Sequence, residues 1–544
     1  MYRRTPIWIG WLDPAGDDYD DRRRSRSAVA QAVEVLSEAD ITTRFDRLQR
    51  KLTPLWASMR RITSDEQTIV VVPSISLDAG VHGVRMQSLE ERFLFLLLLL
   101  RQPRARLIYV TSQAIYPEVV DYYLDLLPGV FAGHAKKRLF LVSPLDGSAA
   151  TLTEKLLARP RLIEHIRSLI LDPDRAHLVP YNTTDREREL AVRLGIPMYG
   201  ADPRCFHLGT KSGARKVFAE EGVPHPLGVE DVRSLDSLAE AICELRRRKP
   251  SIARLVTKLN EGVSGDGNAN VNLSGLPAPG AAGEREAVLA CVRQMRFESP
   301  AMTLDRFAKT IGEYGGIVEE RIEGREFRSP SAQLRVTPLG DVEALSTHDQ
   351  MLGGPSGQAY LGCKFPASED YAAAIMREAL KVGHRLKREG VLGRFALDFV
   401  AVRNERGEWE AYAIEINLRK GGTTHPFLTL QFLTDGAYDA DAGVFRTPRG
   451  EPKCFVASDH VDSPYFRVFT HEDLFDIVAR HGLHFDQSRQ TGIVLHMING
   501  VAELGSFGLT AVAGTRSEAD ALYQKAVRIF EAEAEQRSRG GERI

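Results

Sequence analysis

Cysteine is scarce: five in 544 residues, at Cys205, Cys243, Cys291, Cys363 and Cys454. No two have the spacing of a metal-ligand pair or a redox motif, so neither a zinc ribbon nor a disulfide framework organises the chain. This usage fits a reducing compartment. Long apolar runs are missing too. The longest is Phe93 to Leu100, FLFLLLLL, bracketed by Arg92 and Arg101. Crossing a bilayer takes about twenty apolar residues, so the run reads as a buried helix. Neither charge sign dominates. The 71 Lys and Arg and 73 Asp and Glu leave a net charge of −2, and nothing in that balance calls for nucleic acid or an anionic membrane. The basic cluster Arg246-Arg247-Arg248-Lys249 reads as a solvated helix end. The opening MYRRTPIWIGWLDPAGDD lacks the apolar core and cleavage pattern of a signal peptide, and a cytoplasmic location is the expectation. No strand is followed by the GxGxxG fingerprint, which argues against a Rossmann-type dehydrogenase.

What is present is apolar substance for several cores. The chain is 43% hydrophobic, and its length suggests roughly three to four domains. Residues 1–204 alternate strand and helix patterns. TIVVVPSISLD (68–78) and ARLIYVTS (105–112) are buried-strand patterns, 117–127 and 152–170 are helical by period, and 177–194 reads strand, loop, helix. Such alternation predicts a parallel sheet with helices on its faces. From about 205 to 450 the pattern becomes α+β with mostly antiparallel pairing. It opens with a helix, TKSGARKVFAEEG, stopped by Gly222 and the prolines of VPHP. The last stretch, 451–544, reads as a smaller α/β unit ending in an amphipathic helix near 517–536, and no internal repeat is visible.

The chemistry concentrates late in the middle region. RFALDFVAV and WEAYAIEIN are strands joined by the short turn RNERGE. A hairpin centred near 405 or 406 sets Asp398 opposite about residue 413, with Glu415 and Asn417 following on the same strand face. Both acids interrupt very apolar stretches, and a buried carboxylate needs a partner. Three converging oxygen ligands suit magnesium, with nucleotide phosphates completing the shell. LVTKLNEGVSGDGN puts Lys258 on an apolar strand leading into a loop with Glu261, Gly262, Gly265 and Gly267. Backbone N–H groups of such a loop can fold over phosphates. It is not a Walker loop, since GK[ST] is absent and a strand follows. Alone, a tight hairpin with an exposed lysine reads those residues equally well. The same holds for IVEERIEGREF (317–327), either an adenine-holding edge or a charged edge strand.

Together and in this order, the pieces resemble the ATP-grasp superfamily over about 205 to 430. The resemblance implies that Lys211, just before the G-V-P turn, and Lys258 bind phosphate. It implies that Glu319 is the hinge glutamate of an adenine pocket, with Glu320, Arg321 and Ile322 lining it and Glu326 binding ribose. Asp398, Glu415 and Asn417 then match the set that holds two magnesium ions, and Arg419 an arginine that contacts phosphate or the substrate carboxylate. The catalytic group so implied is Arg419, Lys258 and Lys211. The segments VPSISLD, LTEKLLARPRL, STHDQMLGGPSGQAYLGCKFPA and EINLRKGGTTHPF further resemble the pheganomycin-type peptide ligases. That resemblance implies a pre-ATP-grasp α/β domain (1–204), a two-subdomain ATP-grasp domain (205–450, lid about 223–318) and a small C-terminal α/β domain (451–544). It further implies an ATP- and magnesium-dependent ligase that joins a carboxylate to an amine on amino-acid-like or peptide substrates, by way of an acyl-phosphate. The expected partners are those small molecules, with neither nucleic acid nor membrane, and a homodimer is an open expectation.

The substrate side is read from polar residues near these elements. His348, Asp349 and Gln350 end a strand before the loop GGPSG, and Thr423, Thr424 and His425 follow Arg419. They form the candidate substrate group, while a capped turn and a structural histidine read the same residues. His207 reads as structural. Alternatives kept open are a phosphotransferase or thiol ligase of the same superfamily, and a nucleotide-binding module without turnover.

Overall fold

The computed structural model describes residues 36–61, 66–76, 84–262, 267–353 and 359–541. Four parallel strands come first: β1 (Gln67–Val72), β2 (Ala105–Val110), β3 (Leu139–Val142) and β4 (Ala176–Pro180), in the order β3-β2-β1-β4. All six side chains of β1 are buried, as expected of a strand covered on both faces. The FLFLLLLL run is a buried 3-10 helix, Leu94–Arg101, packed on this sheet. The helical pattern of 152–170 forms two helices, Leu152–Leu157 and Pro160–Leu169, because Pro160 cannot continue the first and starts the second.

A five-stranded antiparallel sheet follows, ordered β5-β9-β6-β7-β8. It comprises β5 (Gly228–Val232), β6 (Arg254–Leu259), β7 (Asn268–Asn272), β8 (Arg296–Phe297) and β9 (Gly316–Glu320). Helices Leu235–Arg248, Glu284–Arg293 and Leu304–Tyr314 pack on it around an apolar cluster of their own, including Leu238, Ile242, Val271 and Phe307.

The largest sheet has nine strands. Five lie between the five-stranded sheet and the hairpin turn: β10 (Phe327–Arg328), β11 (Pro330–Val336), β12 (Val342–Gly353), β13 (Ala359–Phe365) and β14 (Gly393–Arg403). The sixth, β15 (Trp409–Asn417), pairs with β14. A small ribbon of β16 (Ala437–Asp439) and β17 (Val444–Arg446) stands apart. The last three strands are β18 (Cys454–Asp462), β19 (Gly492–His496) and β20 (Ser506–Ala513), and β18 pairs with β13, so they extend the same sheet. Helices Ala372–Arg388 and Arg516–Gly541 cover parts of it. Among the described residues no helix is long and apolar enough to cross a membrane.

Candidate functional site

The hairpin β14–β15 delivers the carboxylates. The expected register is corrected: Asp398 stands opposite Glu415 itself, because the pairing shifts between Asp398 and Phe399, and Asn417 stands opposite Ala396. A bulge of this kind re-aims side chains at a sheet's functional end. The result still brings the three residues together. Asn417 Nδ2 donates to Asp398 Oδ2 at 2.9 Å, and Gln350 Nε2 donates to Asp398 Oδ1 at 2.7 Å. Lys211, at the start of helix Lys211–Glu220, forms an ion pair with Glu415. That helix begins where it does because Thr210 caps it, accepting from the N–H of Gly213 at 3.0 Å. Gly213 has no substitute: a Cβ there would lie 1.9 Å from the carbonyl oxygen of His207.

The two acids differ in their titration. Burial, then the neighbouring Glu415, pushes Asp398 up to about 7. Burial works on Glu415 in the same direction, but Lys211, Arg419 and Lys258 outweigh it and hold the carboxyl below its ordinary value. One acid that resists a negative charge beside one that keeps it is what a carboxylate pair does when the neighbouring cations favour one member.

Facing the hairpin, β6 and β9 bring a second charged set. Lys258 Nζ donates to Glu319 Oε1 at 2.6 Å, and Arg215 Nη1 donates to Glu319 Oε2 at 2.9 Å, with Glu319 only 3% exposed. Register explains the first contact: β6 and β9 pair antiparallel, with Lys258 opposite Ile317 and Val256 opposite Glu319. Glu320 is tied down differently, accepting from the Leu227 N–H at 3.0 Å and from Lys249 at 2.5 Å. Arg321 reaches Asn270, Ile322 is half-buried, and Glu326 is bonded to Arg403 at 3.1 Å. Arg215 was not singled out from the sequence. It stands one helical turn after Lys211, and that i,i+4 spacing was the signal available.

A cavity of about 270 Å³ opens where the ends of β6 and β15 meet, and Asp398, Lys258 and Glu319 stand outside its lining. Lys211, Glu261, Gly262, Glu415, Asn417 and Arg419 line it. Burial raises Glu261 above the ordinary carboxylate range. Asn260, also on the wall, was missed in the sequence; its Oδ1 accepts from the Ser212 N–H at 2.9 Å, fixing the helix start to the end of β6. Gly267 adopts φ +83°, which favours glycine, whereas Gly265 lies outside the described residues. Lys216 points elsewhere, to Asp231 at 2.5 Å.

The substrate candidates are divided by the structure. Gln350 reaches Asp398, as above. Asp349 is taken up by Tyr371 Oη at 2.7 Å, the Ser368 N–H at 3.0 Å and Arg516 at 2.6 Å. Thr423 is buried against Gln333. His348 does not reach the cavity: it is 0% exposed, bonded to Ser346 Oγ at 2.8 Å and enclosed by Phe365, Phe427 and Phe455. His425 is likewise buried, against Asp459 and His496. Both were expected at a strand end or loop; the rings that enclose them come from distant parts of the chain. His207 is exposed and bonded to the Arg204 carbonyl at 3.0 Å.

Residues 204–288 and 283–441 match the family described as IQCH-like, ATP-grasp, and residues 473–526 match the PGM1 C-terminal domain. The L-propargylglycine–L-glutamate ligase of Streptantibioticus cattleyicolor is 29% identical over 446 residues, covering 80% of this chain and 88% of its own. The IQ motif-containing protein H of Danio rerio is 24% identical over 461 residues, 76% of this chain but 43% of that longer protein. Among solved structures, the biotin carboxylase domain dimer of Hydrogenobacter thermophilus 2-oxoglutarate carboxylase superposes with a TM-score of 0.50 at 12% identity, covering 85% of this chain and 89% of that one. That likeness is one of fold. From residue 204 to residue 441, this chain is similar to the ATP-grasp family that the match describes.

Proposed function

We propose that the protein is an ATP-dependent carboxylate–amine ligase acting on amino-acid-like or peptide substrates. The observation that carries the reading is the convergence of Glu415 and Asn417 with Lys211 and Arg419 on one wall of a cavity, with Asp398 bonded to Asn417 behind that wall and Lys258 close enough to act on Glu415. The ligase from Streptantibioticus cattleyicolor, whose name is that of an enzyme joining two amino acids, supports the substrate class.

The residues fit magnesium by their chemistry. Asp398 is pushed up toward neutrality by burial and by Glu415, so a cation bound there would relieve both effects. The Lys211 ammonium against Glu415 shows that this carboxylate takes a positive partner. Asp398, Glu415 and Asn417 would hold one or two magnesium ions, which offset phosphate charge when bound. The chain's own groups do the rest. Lys211 and Lys258 stabilise the negative charge of the phosphates during transfer. Arg419 orients the donor carboxylate or the phosphate beside it. Glu261 and Gly262, with the Glu319–Glu320 edge, position the nucleotide, and keeping water out of the cavity protects the activated acyl group. The donor carboxylate oxygen attacks the γ-phosphorus and ADP leaves. The amine nitrogen then attacks the acyl carbon, phosphate departs with the carbon–oxygen electron pair, and the nitrogen loses a proton.

The test is phosphate release with magnesium and ATP over amino acids and short peptides, singly and in pairs. The expected result is ADP and phosphate with a carboxylate–amine pair and a product mass equal to the sum minus water. Asp398→Asn and Glu415→Gln each lower kcat at least a hundredfold while circular dichroism is unchanged. Near-full turnover in both variants removes these residues from the reaction. Hydroxylamine trapping separates the reading from phosphoryl transfer to a non-carboxylate acceptor, since only an activated acyl group gives a hydroxamate.

A further inference from the structure

Away from the cleft, three buried side chains meet. Asp459 lies on β18, His496 ends β19, and His425 sits in the first turn of helix Thr424–Thr434. Their exposures are 3%, 3% and 2%. His496 Nε2 is 3.0 Å and His425 Nε2 3.3 Å from the same oxygen, Asp459 Oδ1. The two rings stand edge to face, centroids 4.4 Å apart. One ligand atom from each of the three residues lies within 4.8 Å of the others.

Hydrogen bonding alone does not account for the cluster. Neither ring nitrogen of His425 completes a hydrogen bond. A buried imidazole left so is costly, and the large majority of buried polar side-chain atoms find a partner. Metal coordination does account for it. With bonds of about 2.0–2.1 Å, two ligands of a tetrahedral zinc-type ion stand about 3.3–3.4 Å apart, close to the separations of 3.0 and 3.3 Å. Arg92 contacts the other carboxylate oxygen, Oδ2, at 2.9 Å, which orients the group so that Oδ1 faces both imidazoles.

We infer that His425, Asp459 and His496 hold a transition-metal ion of the zinc class. Two imidazole nitrogens with one carboxylate oxygen suit zinc and its neighbours, not the all-oxygen shells of calcium and magnesium. The ion adds positive charge next to Arg92, so its remaining position takes an anionic ligand. Hydroxide derived from water fills that role. The ion serves as a staple. It ties the segment that follows Arg419 to β18 and β19, and through Arg92 to the start of the FLFLLLLL helix. The inference does not depend on the ligase reading.

The test uses the full chain, stripped with a chelator and then given zinc or cobalt(II) before dialysis. Elemental analysis of the reconstituted chain is expected to give one ion per chain. Cobalt(II) is expected to give a visible d–d band, and the reconstituted protein to melt several degrees above the stripped one. X-ray absorption of the wild-type zinc form is expected to show imidazole backscattering, which needs no variant to fold. The ion persists in Asp398→Asn, which alters the cleft, and is lost from His496→Gln. Binding below a tenth of an equivalent with no melting shift overturns the inference. So does a cobalt band that survives in a folded His496→Gln chain, since the ion then sits elsewhere.

Discussion

A side chain taken out of water changes its acidity according to what stands next to it, and this molecule uses that at several residues. Asp398 and Glu415 face one another across a hairpin and are driven in opposite directions, because Lys211 pairs with only one of them. His348 shows the case without any charged partner. Burial among phenylalanine rings lowers it from 6.5 to about 3, so it is neutral in the folded chain. The sign follows directly. Below pH 6.5 the unfolded chain binds a proton that the folded chain refuses, so stability is complete above that pH and falls as the pH drops. At about 1.4 kcal/mol per pKa unit, the loss from this residue reaches about 2 kcal/mol by pH 5. Urea unfolding across pH 5 to 8 measures it. His348→Gln is expected to flatten the acid limb by about one proton, and an unchanged slope would show that His348 is already protonated or solvated in the native state.

At the scale of the element, packing decides what the hydrophobic pattern suggests. The C-terminal helix Arg516–Gly541 buries Ala519, Ala526, Phe530 and Ala534 completely, and Phe530 meets Phe507 of β20 edge to face at 4.8 Å between centroids. Small residues at regular spacing let the helix approach the sheet, and Phe530 fills the gap that remains. Phe530→Ala is expected to destabilise by about 3–5 kcal/mol, seen as a lower urea midpoint at unchanged slope. A shift under about 1 kcal/mol would mean that the helix relaxes into the space. Elements of this kind were legible in the sequence wherever a period and a stop signal coincided. Gly222 ended one helix, and two acids set in apolar strands marked the hairpin. The register was not legible, because a bulge between Asp398 and Phe399 leaves no mark in composition. Nor was the burial of His348 and His425, since the enclosing groups come from β13, β18, β19 and helix Thr424–Thr434. Arg215 was half legible: its spacing from Lys211 pointed inward, but its partner Glu319 lies a hundred or so residues on, across a strand pairing no local pattern encodes.

Across the whole molecule the apolar clusters do not follow the boundaries that sequence patterning proposes at 204 and 450. One continuous cluster takes in the FLFLLLLL helix, Phe365 of β13, Phe427 to Leu433, strands β18 to β20 and the C-terminal helix. Polar ties run the same way: Arg101 bonds Phe432 O at 2.6 Å, Lys420 bonds Pro180 O at 2.5 Å, and Arg92 pairs with Asp459 at 2.9 Å. The five-stranded sheet, by contrast, closes its own cluster with its own helices. A unit that owns its core can fold and move by itself, while one that shares its core cannot. Residues 205–450 cut out as a fragment would expose Phe427, Leu428, Leu430 and Leu433, which the rest of the chain now covers. At about 25 cal/mol per Å² of apolar surface, losing that cover outweighs a typical domain stability of about 5–15 kcal/mol once the sheet edge at β13 is also bared. The fragment is therefore expected to aggregate or to bind an apolar dye without a cooperative melt. The intact chain is expected to lose residues 93–127 and 427–534 in one transition, followed by hydrogen exchange at fixed temperature. In that experiment amides of β5 to β9 exchange on their own schedule, and magnesium-ATP slows those around Lys258. A fragment that melts sharply, with native circular dichroism, would instead make the shared cluster a contact between finished domains.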